Sequence, residues 1–378
     1  MSKSKLVFFG DFGVKDPDKL RIDTQLQSLI DEADIVGLNF EGCCHFGNID
    51  SPNGKPIPQS VDSANWCKDH GINLFSLANN HTMDFGREGL EGTLKTFPSD
   101  IVSVGAGDWD EAYRLKVLET NGNKVGFLAA TSADFSALKN RFDDKGKIGC
   151  AWVNSPSFTT SILHAKQECD YLVLIIHAGV EHLDVPLPEW REKYRSLIDL
   201  GADAVIASHP HVPQGIEDYN GKPIYYSLGN FCFDGTKAPD RYPKYWTNSL
   251  AAIIEFEDSY IKFSYIPIIR DENTLKIDES TDIKEHIGRL CSILLDDEEY
   301  EKILDAESER FFKQYSGWLL SGFNAVKTEW TIAAFKALIH NLLKKNRGGY
   351  RIALHQLREE STQYAMQRYL KKITNSYL

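Results

Sequence analysis

The motif with the clearest chemical potential is a pair of histidines, His209 and His211, separated by one proline. They follow an apolar run at 204–207 that is typical of a buried strand. If the strand continues through the motif, both imidazoles lie on the same side of an extended backbone, because side chains repeat every second residue. Two neutral imidazoles aimed at one point suit a divalent metal. The other interpretation is a pair of loop histidines that only make hydrogen bonds.

Four further groups of potential metal ligands also come directly after predicted strands. They are Gly10-Asp11, Asn39-x-Glu41, Asn79-Asn80-His81 with Asp84, and His177 with Glu181 and His182. Open α/β sheets bind ligands beyond the carboxyl ends of their strands. Taken singly, each group could be a turn residue, a helix cap or a hydrogen-bonded side chain. Together they predict one shared metal site.

The elements that would position these groups alternate along the first two-thirds of the chain. Predicted strands cover apolar runs at 5–9, 34–38, 73–78, 101–104, 124–130, 171–176, 203–207, 223–228, 250–257 and 260–268. Helical patterns lie between them at 18–32, 61–70, 87–97, 157–168 and 188–200, and a turn signal occupies 219–222. Continuous apolar runs are expected where both faces of a sheet are covered. The sequence therefore predicts an α/β fold with sheet layers flanked by helices.

The chain changes character after about residue 270. Strand-like runs end there and helical periodicity takes over, so we predict one domain at 1–269 and a helical C-terminal extension at 270–378. An acidic stretch at 278–309 precedes a basic stretch at 331–378, in which apolar residues recur at helical spacing. Either these charge blocks are solvated faces that pack on each other or on the core, or the basic helices contact an anionic membrane surface or a partner protein.

Composition narrows the class of protein. The 378 residues include 42% hydrophobic and 25% charged residues, which is ordinary for a soluble globular chain. A net charge of -12 argues against a nucleic-acid-binding surface over most of the chain. No run approaches the roughly 20 apolar residues that span a bilayer. The seven cysteines lack a Cys-x-x-Cys spacing, which is typical of free thiols in a reducing compartment. We expect a cytoplasmic protein, either free or peripheral to the membrane.

The order and spacing of these motifs resemble the calcineurin-like metallophosphoesterase superfamily, and more closely its CapA, or poly-γ-glutamate capsule-biosynthesis, family. The resemblance covers about residues 5 to 268 and is carried by Gly10-Asp11, Asn39-x-Glu41-Gly42, Ala78-Asn79-Asn80-His81-x-x-Asp84, Gly105-Ala106-Gly107, His177-Ala178-Gly179-x-Glu181-His182, His209-Pro210-His211-Val212-x-Gln214 and Tyr226-Ser227-Leu228-Gly229-Asn230-Phe231. It implies a metallophosphoesterase-like two-sheet β-sandwich flanked by helices. The C-terminal hundred or so residues have no part in it.

The resemblance also implies a two-metal centre. Its ligands are Asp11 and His211 on one ion, Asn80, His177 and His209 on the other, and Glu41 as the bridging carboxylate. His81 corresponds to the histidine that protonates a leaving oxygen, and Asp84 is placed to orient its ring. Such a centre lowers the pKa of a water molecule and clamps a tetrahedral oxyanion. Histidine, asparagine and carboxylate ligands admit manganese, iron or zinc.

Two departures from the superfamily pattern bear on the number of ions. The usual Asp-x-His motif is Asp11-Phe12-Gly13 here, and the bridging aspartate is replaced by Glu41. The first ion lacks a ligand unless His182, Glu181 or Asp234 supplies one, so we expect one or two ions.

Function is expected to follow from this site and from the family. The resemblance implies a metal-dependent hydrolase with a role in capsule or poly-γ-glutamate biosynthesis, acting on an anionic polymer or a phosphate ester. The alternative is a non-catalytic polymer-binding or assembly protein that retains the metal site. No Walker-type phosphate-binding loop is present, so we do not expect ATP-driven ligation by this chain.

Overall fold

The structure, a computed structural model, describes residues 3–44, 56–142, 144–234, 242–257, 260–322 and 359–374. Its contacts divide the chain into two compact units, Met1–Tyr300 and Glu301–Leu378. The predicted division at 269/270 stays a prediction.

The first unit alternates strands with helices along most of its length. In chain order the strands are β1 Lys3–Gly13, β2 Arg21–Ile22, β3 Ile35–Phe40, β4 Cys43–Cys44, β5 Pro58–Gln59, β6 Leu74–Ser76, β7 Val102–Val104, β8 Ala106–Gly107, β9 Lys116–Thr120, β10 Asn123–Thr131, β11 Ala137–Leu138, β12 Gly149–Ala151, β13 Tyr171–His177, β14 Ala204–Ser208, β15 Ile216–Tyr219, β16 Lys222–Tyr225, β17 Asn230–Phe233, β18 Asn248–Glu257, β19 Tyr260–Asp271 and β20 Thr274–Ile277. The helices are α1 Thr24–Asp31, α2 Ser63–Asp69, α3 Gly86–Thr96, α4 Trp109–Ala112, α5 Pro156–Ala165, α6 Pro188–Asp199, α7 Thr281–Ile293, α8 Asp297–Gly322 and α9 Glu360–Thr374.

Two large sheets form the core of this unit. The first has the order β2-β20-β19-β18-β1-β3-β6-β7, with β17 also paired to β1, and the second has the order β15-β16-β14-β13-β10-β9. In the first sheet β1, β3, β6 and β7 run parallel, and in the second β10, β13, β14 and β16 run parallel. Parallel strands bring their carboxyl ends to one edge of each sheet, which is where the predicted ligands follow them in the sequence.

Strand β1 shows why its sequence is apolar without alternation. Val7 and Phe9 pack in a cluster with Leu26 of α1, Trp66 of α2 and other helical side chains on one face of the sheet. On the other face the ring of Phe8 contacts that of Phe127 in the second sheet, with centroids 6.3 Å apart. Helix α5 packs on β10 and helix α6 on β14 of the second sheet. The predicted fold class, two sheets layered between helices, is confirmed.

Each predicted strand overlaps an observed strand, but two other predictions are wrong. The helix predicted at 18–32 is helical only from Thr24, because Pro17–Lys19 forms a 3₁₀ turn, and Asp23 then caps α1 by accepting a hydrogen bond from Leu26 N at 2.8 Å. Strands also do not end near residue 270. Strand β20 continues the first sheet, paired antiparallel to β19, after a tight turn in which Glu272 has a φ of 54°.

The predicted turn at 219–222 is confirmed. Asn220 and Gly221 have φ values of 57° and 77° and join β15 to β16 as an antiparallel hairpin. Two consecutive positive φ values are typical of a two-residue type I′ hairpin, which favours the Asn-Gly pair.

The described part of the second unit pairs the acidic stretch with the basic one. Arg368 of α9 forms ion pairs with Glu301 and Asp305 of α8, and Lys372 lies 3.1 Å from Asp305. For this helix the pairs support the interpretation that the two charge blocks pack on each other. The amphipathic pattern predicted between 335 and 357 lies outside the described residues. None of the helices within the described ranges is long and apolar enough to cross a membrane.

Candidate metal centre

The predicted ligands converge from the strand ends of both sheets. In the first sheet Asp11 of β1 pairs in register with Asn39 of β3, and Glu41 follows directly after β3. In the second sheet His177 is the last residue of β13 and pairs with Ser208 at the end of β14. Residues 79–84 form the loop after β6. Side chains that are far apart in sequence therefore meet at one buried place.

A glycine permits the closest approach of backbone segments at this place. A Cβ atom on Gly10 would lie 1.8 Å from the carbonyl oxygen of Gly229, and the next residue, Asp11, donates its N–H to that oxygen at 2.9 Å. A side chain at Gly10 would push apart the two segments that carry Asp11 and Asn230.

Asp11, Glu41 and His211 form one compact group. One potential ligand atom from each lies within 4.8 Å of the others, and all three residues are buried. His211 Nδ1 lies 3.2 Å from Asp11 Oδ2, and His211 Nε2 lies 3.7 Å from Glu41 Oε1. Among the residues that the structure describes, Glu41 Oε1 has no hydrogen-bond partner. A buried carboxylate oxygen without a partner is costly and fits a place where a cation binds.

Asn80, His177 and His209 form a second group beside the first. His177 Nε2 lies 2.9 Å from Asn80 Oδ1 and 3.1 Å from His209 Nδ1. The two groups adjoin, since His177 also lies 3.8 Å from Asp11 and 4.0 Å from Glu41. The structure thus brings together all six predicted metal ligands, in the two sets that the resemblance implies. That they bind metal stays a prediction.

The strand was expected to continue through His209 and His211, and this prediction is wrong. Strand β14 ends at Ser208, and His209 and His211 have φ values of 107° and 60°, so the backbone is not extended. Positive φ is uncommon for residues other than glycine, and strained backbone of this kind clusters at functional sites. The turn is tied to its neighbours, because Pro210 O accepts a hydrogen bond from His182 N at 2.9 Å. The two imidazoles therefore reach different partners within one centre.

His81 and Asp84 lie together as predicted. His81 Nδ1 is 2.8 Å from Asp84 Oδ2, which also accepts a hydrogen bond from Ile57 N. Burial alone would lower the pKa of His81, but the Asp84 carboxylate, with Glu41 and Glu181 beyond it, outweighs burial and raises that pKa. The raised pKa favours the protonated form of His81.

The candidates for an extra ligand differ in their surroundings. Burial alone would raise the pKa of Glu181, but the imidazoles of His209 and His211 lower it, so this carboxylate interacts electrostatically with the same centre. Asp234 has other partners, since its two oxygens accept hydrogen bonds from Arg270 and from Lys15 N, both at 2.9 Å. The ring of His182 lies against the ring of Trp246 at 5.5 Å.

The electrostatics of the centre favour a bound cation. Burial and the nearby Asp11 carboxylate raise the pKa of Glu41. Burial alone would lower the pKa of His211, but the Glu41 and Asp11 carboxylates raise it above its ordinary value. Without an ion, protons on Glu41 and His211 offset the two buried negative charges. Burial holds the pKa of His177 well below its ordinary value and that of His209 at about 4, so both imidazoles are neutral and suited to bind metal.

Three asparagines hold the ligands in place, and the sequence did not assign them this role. Asn39 Nδ2 lies 2.8 Å from Asp11 Oδ1 and 3.1 Å from His177 Nδ1. Asn79 Oδ1 accepts hydrogen bonds from the N–H groups of Gly42 and His81, and Asn230 Oδ1 lies 2.9 Å from His211 Nδ1. Such supporting contacts orient metal ligands.

The sequence carried a signal for all three asparagines. Each is a buried amide inside a quoted motif, beside or close to a predicted ligand. The motifs therefore indicated their importance, although only the structure identifies the atoms they contact.

A strand-end group of histidines, carboxylates and asparagine on a two-sheet α/β fold is the arrangement that the metallophosphoesterase resemblance implies. Residues 13–235, more than half of the chain, match the family model described as "Bacterial capsule synthesis protein PGA_cap". The chain belongs to this family, and the predicted resemblance to CapA proteins is confirmed.

Two curated relatives are both named CapA. The chain is 33% identical over 210 residues to "PGA biosynthesis protein CapA" of Bacillus subtilis (strain 168), covering 53% of this chain and 54% of that protein. It is 32% identical over 173 residues to "Capsule biosynthesis protein CapA" of Bacillus anthracis, covering 44% and 41%. The chain thus spans about half the length of the curated relatives it matches.

One solved structure illustrates the more distant similarity. A hypothetical protein from Thermus thermophilus is 14% identical with a TM-score of 0.42, covering 71% of this chain and 100% of that one. Because this TM-score is below 0.5, the family assignment rests on the sequence match.

Proposed function

We propose that this chain is a metal-dependent hydrolase that acts on an anionic polymer or a phosphate ester in capsule or poly-γ-glutamate biosynthesis. The observation that carries the proposal is the orphaned Oε1 atom of buried Glu41, within 4.8 Å of ligand atoms from Asp11 and His211. A divalent cation would compensate both buried carboxylates and supply the missing partner.

The donor set fits manganese, iron or zinc. It combines two carboxylates, an amide oxygen and three imidazoles, of which His177 and His209 are held neutral. We propose that Asp11 and His211 hold one ion, that Asn80, His177 and His209 hold a second, and that Glu41 lies between them. When bound, such ions lower the pKa of a water molecule and neutralise charge that develops on the substrate.

The protein's own contribution to the reaction is proton transfer and orientation. We propose that His81 donates a proton to the leaving oxygen, because its raised pKa favours the protonated imidazole. Asp84 holds His81 by its Nδ1 atom, which leaves Nε2 as the nitrogen that donates. Asn39 and Asn230 orient the ligands on either side.

One comparison of variants tests the proposal. We expect purified wild type to turn over phosphate esters or γ-glutamyl peptides. His81→Ala should lose about 100-fold to 10,000-fold in turnover, as expected for removal of a general acid, while its metal content stays unchanged. His164→Ala, which removes an exposed imidazole from α5, is the matched control and should keep full activity. Full activity of His81→Ala would contradict the role assigned to His81. Inactivity of the wild type on every substrate would contradict the proposal that the protein is an enzyme.

A second candidate function, polymer binding without catalysis, is favoured by one observation. The third position of the superfamily's Asp-x-His motif is Gly13, where a Cβ atom would lie 2.7 Å from the ring of Phe233. A histidine there would require the Phe233 ring to move, and with glycine at this position the first ion would have one ligand fewer. A wild type that contains metal and binds polymer but turns over no substrate would select this candidate.

Location and partners are further proposals. We propose that the protein acts in the cytoplasm and that the basic C-terminal stretch at 331–378, most of which lies outside the described residues, contacts an anionic membrane surface or a partner protein. Removing the residues after Arg347 should then reduce sedimentation with anionic liposomes. Unchanged sedimentation would contradict the membrane contact.

A further inference from the structure

A cavity of about 190 Å³ lies beside the candidate metal centre. Its lining residues are Asn230, Phe233, Trp246, Thr247, Arg270 and Glu272. Asn230 belongs to both places, because its Oδ1 atom contacts His211 Nδ1 at 2.9 Å. The rings of Phe233 and Trp246 also lie against the ring of His211, with centroids 4.7 Å and 5.2 Å away. The cavity therefore adjoins the centre at Asn230 and His211.

The cavity presents a fixed guanidinium group. Arg270 donates from Nη1 to Phe233 O and Asp234 Oδ1, at 3.2 Å and 2.9 Å, and from Nε to Glu272 O at 3.0 Å. In the part of the chain that the structure describes, Arg270 Nη2 has no hydrogen-bond partner. A guanidinium that is already oriented, with donors to spare beside aromatic walls, is suited to bind a planar oxyanion.

The charge of the cavity favours a carboxylate over a phosphate. Arg270 is the cation of the lining, while Glu272 lines the same cavity and Asp234 contacts the guanidinium. A phosphate monoester carries about two negative charges at neutral pH and would be repelled by both acidic groups. A carboxylate carries one charge and matches the planar donor arrangement of arginine.

We propose that this cavity is a subsite for one carboxylate-bearing residue of the polymer, next to the bond on which the centre acts. Arg270 binds the carboxylate, and Phe233 and Trp246 pack against the aliphatic part of that residue. A polymer of γ-linked glutamate has this chemistry at every residue, with a free carboxylate beside a short aliphatic chain. This inference rests on the proposed function and specifies its substrate.

Equilibrium binding to the full chain tests the subsite. The probes are a fluorescent γ-linked glutamate oligomer and the same oligomer with its free carboxylates converted to amides. Loss of a charge-assisted hydrogen bond should weaken binding of the acid oligomer to Arg270→Gln by about tenfold to 100-fold. The amide oligomer should bind wild type and Arg270→Gln equally weakly. Lys262→Gln is the control, because it removes a positive charge from the same strand, about 26 Å away along its length, and should bind like wild type.

Each result supports or overturns the subsite. Equal binding of acid and amide oligomers to wild type, unchanged binding by Arg270→Gln, or no binding at all would overturn it. If Arg270→Gln does not fold, Arg270→Lys provides a second test. Lysine keeps the positive charge but lacks the planar pair of N–H donors, so this variant should bind the acid oligomer with intermediate affinity. Inorganic phosphate that displaces the oligomer only when Arg270 is present, at concentrations where acetate does not, would instead assign the cavity to phosphate and overturn the carboxylate proposal.

The same variants separate this inference from the proposed function. Arg270-dependent binding of the acid oligomer without turnover of any substrate would support the subsite and contradict the proposed hydrolase activity. If wild type and Arg270→Gln turn over both the acid and the amide oligomer with equal kcat/KM, the hydrolase proposal is supported and the subsite is contradicted.

Discussion

Two buried carboxylates in this protein have opposite surroundings. Glu217 of β15 accepts hydrogen bonds from Arg191 at 3.3 Å, from Arg195 and from the hydroxyl of Tyr226 at 2.6 Å. Burial alone would raise the pKa of Glu217, but these partners lower it. Glu41 has an oxygen without a partner among the described residues, and its pKa is raised.

The comparison shows how a structural carboxylate differs from one that awaits a ligand. The fold supplies Glu217 with two guanidinium groups from α6, so its charge is compensated within the protein. Near Glu41 the carboxylates of Asp11 and Glu181 add to burial in raising its pKa, and the imidazoles of His211 and His81 lower it. Among the described residues no guanidinium or ammonium group pairs with Glu41, so its charge is offset by protons or by a bound cation, and that cation is the proposed metal.

The largest effect on stability is expected from Glu217→Gln. This change leaves the buried guanidinium of Arg191 without its counter-charge, and breaking a buried ion pair costs about 3 kcal/mol or more. Chemical denaturation should show this loss of unfolding free energy, while metal content stays at the wild-type level. A loss of metal in Glu217→Gln would contradict the distinction between Glu217 as a structural carboxylate and Glu41 as a metal ligand.

Glu41→Gln should give the reverse pattern. Removing a proposed ligand should weaken metal binding by at least about tenfold, since the loss of a mere supporting contact already costs that much. The metal-free variant should be more stable than metal-free wild type near pH 7, by up to roughly 3 kcal/mol, because glutamine is neutral without the proton that Glu41 must take up on folding. Titration with metal and denaturation in chelator measure the two effects, with Glu217→Gln as the matched control. Wild-type metal affinity in Glu41→Gln would rule out Glu41 as a ligand.

The pH dependence of stability should have opposite signs for the two residues. In metal-free protein the folded state binds more protons at Glu41 than the unfolded state does, so its contribution falls as pH rises from about 4.5 to about 8. The pKa of Glu217 is lowered from 4.5, so its contribution is present above that value and is lost as pH falls through its lowered pKa. Denaturation of wild type and both variants between pH 4 and pH 8 gives the two difference curves. Difference curves with the same sign for Glu41 and Glu217 would contradict the opposite surroundings assigned to the two carboxylates.

Part of this picture could be predicted from sequence because buried parallel strands have a strong signal. Apolar runs that end in Asp11, His177 and His209 indicated both the strands and the place where their ends meet. The left-handed backbone at His209 and His211 could not be predicted, since His-Pro-His has no glycine to mark it.

Contacts between distant segments were also beyond sequence reasoning. Asn39 and His177 come from different sheets, so only their packing brings the amide to the imidazole. Glu217 and Arg191 belong to a strand and a helix with no common periodicity, and β20 is a four-residue strand that resembles the polar segment around it. Short-range patterns do not encode such pairings.

The most direct test of the central claim is elemental analysis of purified protein after dialysis against manganese, iron and zinc in turn. The account predicts one or two tightly held ions per chain, with fewer in Glu41→Gln. A wild-type chain that holds no ion under any of these conditions would contradict it.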